Sequence, residues 1–165
     1  MSTNLIIATF SSASAKRFET SDYNRLVTQS LDAPCDFRVE THLRKQVYAL
    51  SKLRTNLDQI TIVVAQDSET DADLERFLSA IKRINGIPVV VLYRKNGGDS
   101  VGSWFYGMEK FPDFDYHIVT EDDYLFVLNR FDTVLVDAAK LAERRCDPDE
   151  ALYIPVYIDG GPGVP

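Results

Sequence analysis

Three adjacent carboxylates, Glu121-Asp122-Asp123, follow the apolar run Tyr116–Thr120. Side by side they repel one another, and a cation relieves that repulsion. Oxygen-only, acidic ligand sets suit hard cations such as Mg²⁺ or Mn²⁺. In extended geometry Glu121 and Asp123 point to one side and Asp122 to the other, so the natural chelate is Glu121 with Asp123. A metal held there and shared with a diphosphate neutralises charge on a leaving group as its bond breaks. The plainer reading is a solvated acidic turn after a buried strand, since loops commonly gather charge.

Other polar clusters end other apolar runs. Thr9-Phe10-Ser11-Ser12 follows the first run, Gln66-Asp67-Ser68 the second and Arg94-Lys95-Asn96-Gly97-Gly98 the third. Gln66 and Asp67 suit hydrogen bonding to a base or ribose edge, or an Asx-type turn before the next helix. Arg94 and Lys95 suit phosphate pairing, or a solvated strand end. Asn96-Gly97-Gly98, with Asp99-Ser100, is a turn leading into a helix N-terminus, a place able to hold an anion. It matches neither a P-loop nor a dinucleotide fingerprint. Asp113 and Asp115 repeat the spacing of the acidic chelate but precede their run, so they are expected at the opposite edge as a solvated loop. Of the two histidines, His117 reads as packed core and His42 as a helix start. Trp104, Phe105 and Tyr106 read as core, and so by default do Tyr124 and Phe126. No Ser/His/Asp or Cys/His arrangement presents itself.

The elements that must position these groups follow from hydrophobic pattern. Leu5–Phe10, Ile60–Ala65, Pro88–Tyr93 and Tyr116–Thr120 are short Val/Ile/Leu-rich runs, as expected of strands buried on both faces. Ala151–Ile158 is a fifth candidate. Between them, His42–Arg54 carries Leu43, Val47, Leu50 and Leu53 on one stripe. Ala72–Ile84 does the same with Leu74, Phe77, Leu78, Ile81 and Ile84, and Asn85-Gly86 acts as its stop. Ser100–Lys110 keeps Val101, Trp104, Phe105 and Met108 in register despite Gly102 and Gly107. Phe131–Glu143 starts after Asn129, a good cap, with Asp132 in its first turn. Ser11–Thr41 is a long connector in which Asp22–Leu31 suits a short helix. This alternation predicts an α/β fold, an open, mainly parallel sheet with flanking helices. Such sheets bind ligands beyond the carboxyl ends of their strands, where all four polar clusters fall.

Composition limits the partners. The chain has 165 residues, 45% of them hydrophobic, enough for one domain with a real core. A net charge of −7 argues against a nucleic-acid polymer as partner. It does not argue against a small anion, because one bound metal inverts the local field. There is no apolar run of transmembrane length and no signal-peptide pattern, so the expectation is a soluble, cytoplasmic chain. Cys35 and Cys146 lack metal-type spacing and read as free thiols.

Taken together, these segments resemble the N-terminal, donor-binding half of GT-A fold glycosyltransferases, of the large family 2 type. The resemblance rests on Leu5–Phe10 followed by the Leu43–Leu53 helix, and on Ile60–Ala65 ending in Gln66-Asp67-Ser68. It rests also on Arg94–Gly98 leading through a helix to Tyr116–Thr120 and the acidic triplet, which is similar to an Asp-any-Asp motif. It runs from about Asn4 to Ile158. It implies transfer of a sugar from a nucleoside-diphosphate sugar to a hydroxyl of a glycan, lipid or protein acceptor, with Mn²⁺ or Mg²⁺. Asp123 would ligate the metal, and Glu121 the metal or the ribose. Thr9, Phe10, Gln66, Asp67, Arg94 and Asp122 would line the nucleotide-sugar. Gln66 stands where an acid is common, and Glu121 is one methylene longer than the usual Asp. The acceptor-binding half, which carries the catalytic base in inverting members, is not represented. The expectation is therefore a single donor-binding domain over 1–165, truncated or acting with a partner. Two alternatives are a nucleotide-binding module without transfer activity and a nucleotidyltransferase; the glycine-free loop after the first strand counts against the second.

Overall fold

The computed structural model describes residues 1–11, 42–66 and 71–144. The connector beyond Ser11, with the expected helix Asp22–Leu31, lies outside the described residues, as do Asp67, Cys35, Cys146 and the expected strand Ala151–Ile158.

Strand β1 (Thr3–Ser11) is buried along its whole length except at Phe10. Strand β2 (Gln59–Gln66) is buried from Ile60 to Ala65. Such runs need cover on both faces, and the sheet supplies it. The sheet order is β3-β4-β2-β1-β5, with β4 at Ile87–Lys95 and β5 at Tyr116–Glu121. β1, β2, β4 and β5 run parallel, and only the two-residue β3 (Arg83–Ile84) is antiparallel. The fold is α/β with a mostly parallel sheet and flanking helices, as the alternating pattern predicts.

Helices α1 (His42–Lys52), α2 (Ala72–Ala80) and α4 (Phe131–Glu143) share one face. There Leu43, Leu50, Leu74, Leu78 and Phe131 pack with Leu5, Ile7, Ile60, Ile62 and Ile118 in one core. Each such fully buried side chain contributes about 2 kcal/mol, most of it offset by the entropy of ordering the chain. Helix α3 (Asp99–Lys110) lies on the other face, against Ile6 and Val63. The chain steps outward from β1 through β2 to β4, then crosses back to place β5 on the far side of β1. The reversal puts its crossover helix on the opposite face, as right-handed connections require. The gap between β1 and β5 is therefore the switch point of the sheet.

Three expectations need correction. The predicted helix Ala72–Ile84 ends at Ala80, and Arg83–Ile84 pairs instead with Ile87–Pro88. Asn85 (φ 51°) and Gly86 (φ 83°) both adopt left-handed backbone, the geometry of a two-residue hairpin turn rather than a helix stop. The buried face of α3 is not Val101, Trp104, Phe105 and Met108. Ser103 and Gly107 are its buried residues, while Phe105 is 62% exposed and Val101 50%. A Cβ on Gly107 would stand 3.0 Å from Ile6 Cγ2 and 3.3 Å from Val63 Cγ2, so close approach to the sheet selects small residues. Finally, Asn129 does not cap α4. Its Oδ1 accepts a hydrogen bond from the Arg54 amide at 2.9 Å, and Arg130, in left-handed conformation, holds the cap position without a side-chain bond. Asp132 in the first turn is buried and accepts from the Asn56 amide at 2.6 Å.

Candidate functional site

Strand register decides which predicted site residues share a face. Ala8 pairs with Glu121, Phe10 with Ala65 and Ala65 with Arg94. Phe10, Glu121 and Arg94 therefore belong to the α3 face. Thr9, Ser11, Gln66 and Asp122 belong to the face of α1 and α2. The carboxyl edge thus carries two distinct polar groups, one above each face.

On the α1 side, Thr9 Oγ1 donates to Asp122 Oδ2 at 2.5 Å, bridging β1 and β5 across the switch point. Thr9 is buried. Burial pushes the Asp122 carboxyl above its usual range and the charge of Asp123 adds to this, while the Thr9 hydroxyl and His42 pull the other way. Gln46, fully buried in α1, donates through Nε2 to the carbonyls of Glu121 at 3.2 Å and Tyr124 at 2.7 Å. Further along the same edge, Glu75 Oε1 accepts from Ser11 Oγ at 3.3 Å and from Gln66 Nε2 at 3.1 Å. Ser11 Oγ in turn accepts the Asp71 amide at 3.0 Å, and Asp71 Oδ1 caps α2 through the Leu74 amide. The Tyr93 ring is partly exposed but its hydroxyl bonds Glu75. Burial, with that bond and the Glu75 charge, pushes it up to about 12.

On the α3 side, Arg94 is partly buried and engaged within the fold, not a solvated strand end. Its Nη1 donates to Ser103 Oγ at 3.3 Å and its Nη2 to the Gly97 carbonyl. Gly102 has no room for a side chain, since a Cβ would meet the Gly97 carbonyl at 2.8 Å. Gly98, left-handed at φ 77°, caps α3. The Asn96-Gly97-Gly98 turn is thus fastened to the helix start by Arg94 and to β2 by the Asn96 amide on the Gln66 carbonyl at 2.9 Å. Trp104 Nε1 reaches under the edge to the Thr120 carbonyl at 3.0 Å.

The acidic triplet does not stay extended. β5 ends at Glu121, and the chain turns through Asp122 and Asp123. Glu121 and Asp122 point to opposite faces, and the expected pairing of Glu121 with Asp123 by strand alternation loses its geometric basis at the turn. Asp123 is exposed. Among the described residues no group of three or more His, Cys, Asp or Glu could hold a metal ion. Among the described residues, then, the triplet alone does not complete the ligand set of a divalent cation.

Other sequence expectations are settled locally. Phe126 stacks on Phe131 with centroids 3.8 Å apart, as core, but Tyr124 is 63% exposed beside the acidic turn and is not core. His117 is half-buried against Phe114 and Asn4, and burial lowers its pKa. Asp115 lies at the amino edge as expected, yet it is no idle loop residue: it accepts the Ser2 amide at 2.6 Å. Gln46 and Glu75 are the functional candidates that sequence reasoning missed. Each is a polar residue inside an amphipathic helix whose partners lie on distant strands, so no local pattern marks it.

No protein-family model matches the chain, and no curated protein and no solved structure match it.

Proposed function

We propose that the sheet edge at the carboxyl ends of β1 and β5 binds a nucleoside-diphosphate sugar, and that the chain is the donor-binding part of a GT-A type glycosyltransferase. The observation that carries the reading is the Thr9–Asp122 bond, which sets the acidic turn at the point where strand order reverses. Ligands of open α/β sheets bind at that point. In this reading Asp123 and Glu121, brought together by the turn and not by strand alternation, would share Mn²⁺ or Mg²⁺ with the diphosphate, whose departing charge the metal would neutralise. Thr9 orients Asp122 through its hydroxyl, and Phe10 offers an exposed ring for the nucleotide. Arg94 acts through the Gly97 turn that it braces beside the start of α3, a helix end suited to phosphate. Gln66, held by Glu75, lies towards the base, and Asp67, the next residue in sequence, keeps the base-binding role that the resemblance implies. The acceptor is a hydroxyl of a glycan, lipid or protein. No helix among the described residues is long and apolar enough to cross a membrane.

The test is thermal unfolding against a panel of nucleoside diphosphates with Mn²⁺, with Mg²⁺ and with chelator. A ligand at about a hundred times its dissociation constant adds roughly 2.7 kcal/mol. That raises the midpoint by about 5–10 °C in a domain of this size. The expected outcome is a metal-dependent shift for one base, abolished in Asp123→Ala. A second reading, nucleotide binding without transfer, is favoured by the engagement of Asp122 with Thr9 and the lack of a three-ligand group among the described residues. It predicts a shift that chelator leaves intact. No shift with any nucleotide removes both readings.

A further inference from the structure

We infer that Gln46 is a positioning residue that sets the shape of the acidic turn; its role in ligand binding rests on the reading of the site given above. Gln46 is fully buried in a helix whose neighbouring buried positions include Leu43, Ala49 and Leu50. An aliphatic side chain would serve that position if packing were all it had to do. Instead its amide sends Nε2 to two backbone carbonyls, Glu121 on one side of Asp122-Asp123 and Tyr124 on the other. The turn's own closing bond, from the Tyr124 amide to the Glu121 carbonyl, is long at 3.5 Å and contributes little. One side chain from α1 thus joins the two ends of a turn that barely closes itself.

The cost of this arrangement is visible. Gln46 Oε1 is buried and has no hydrogen-bond partner among the described residues. Leaving a buried acceptor unpaired is unfavourable, and replacing the whole group with an apolar one of the same shape removes the penalty. A position kept polar on such terms sacrifices stability for geometry. The geometry concerned is local: it fixes where the backbone leaves β5, and so where the Asp123 carboxylate stands relative to Glu121. Trp104 supports the preceding residue from the opposite face through the Thr120 carbonyl.

The test compares the wild type with Gln46→Met, which keeps length and bulk but cannot donate. Amide hydrogen exchange is read by mass spectrometry in the full chain without ligand. Exchange over residues 122–126 is expected to accelerate by about tenfold, the scale of one lost buried hydrogen bond, while β1 and β2 stay protected. The unfolding midpoint should hold or rise, because the orphaned acceptor is gone. In parallel, the Mn²⁺ concentration that half-saturates nucleoside-diphosphate binding should rise by a similar factor, a readout that simple loss of packing would not move selectively. Gln46→Glu provides a second variant. Ionised, it cannot donate to either carbonyl; protonated, it donates to one, so its excess exchange relative to wild type at equal pH should shrink on acidification. Wild-type exchange over 122–126 in both variants would overturn the assignment. If the wild type binds no metal–nucleotide, the donor-site reading falls, while the exchange result still decides whether Gln46 positions the turn.

Discussion

Asp115 and Asp122 sit at opposite ends of the same strand, and their carboxyls are driven in opposite directions. Asp115, just before β5, accepts the Ser2 amide at 2.6 Å and the Ser2 hydroxyl at 3.3 Å, and lies 3.7 Å from the terminal amine. The Ser2 backbone bond leads in holding its carboxyl below the usual range. Asp122, just after β5, is pushed up by burial, and the adjacent Asp123 adds to the push. The chain answers its own charge at the amino edge. At the carboxyl edge charge is gathered and partly buried, and for Asp122 burial outweighs the Thr9 hydroxyl and the His42 charge that oppose it. A carboxyl raised by burial beside a like charge is a candidate for function. The difference between the two ends of β5 is the physical ground for placing ligand chemistry at one and a staple at the other.

The strongest way to break that contrast is to disturb what supports the carboxyl edge. Gly107→Val drives a branched side chain into Ile6 and Val63 and lifts α3. The expected loss is about 2–3 kcal/mol in urea unfolding. Trp104 is the only tryptophan, so its emission should red-shift as its indole leaves the Thr120 carbonyl. An unchanged midpoint and spectrum would mean that α3 does not dock through its small residues.

A smaller effect sharpens the contrast by pH. Because the Asp122 carboxyl is raised in the fold, its neutral form is favoured there. Its contribution to stability is present below the unfolded carboxylate pKa and lost as pH rises through the folded one. Asp122→Asn keeps an acceptor for Thr9 without the charge, so it should raise the unfolding midpoint by a few degrees near neutrality. The gain should fade as pH falls below the unfolded carboxylate pKa of about 3.9, where the carboxyl becomes neutral in both folded and unfolded states. A gain that persists undiminished in acid would refute the role of burial.

Asp115 should show the smallest change and the opposite sign. Its lowered carboxyl contributes stability above the ordinary carboxylate range, lost as pH falls through the lowered value. Asp115→Asn is expected to reduce the midpoint slightly near neutrality, with the difference fading on acidification in the same thermal scans. A rise at neutral pH would erase the distinction between the two edges.

What the sequence reveals, and what it hides, follows from range of interaction. The central strands are legible because two-sided burial writes itself into consecutive residues, as in Leu5–Ala8 and Ile60–Ala65. The acidic triplet is legible because its residues are contiguous. The hairpin at Asn85-Gly86 is harder, since the same dipeptide ends helices and turns strands, and only the pairing of Ile84 with Ile87 decides. The docking face of α3 misleads for a packing reason: periodicity highlights its large apolar residues, while contact with the sheet is made through Ser103 and Gly107. Gln46 is silent in sequence because its two partners lie 75 and 78 residues away.

The most direct test of the central claim is a calorimetric titration of the nucleoside diphosphate selected by the thermal panel, with Mn²⁺ present, into three proteins: wild type, Asp123→Ala and Asp115→Ala. Wild type and Asp115→Ala should bind with equal affinity, and Asp123→Ala at least about tenfold more weakly, as expected when a carboxylate ligand is withdrawn from a shared metal. Loss in Asp115→Ala with Asp123→Ala unaffected would place the ligand at the wrong edge of the sheet and contradict the account.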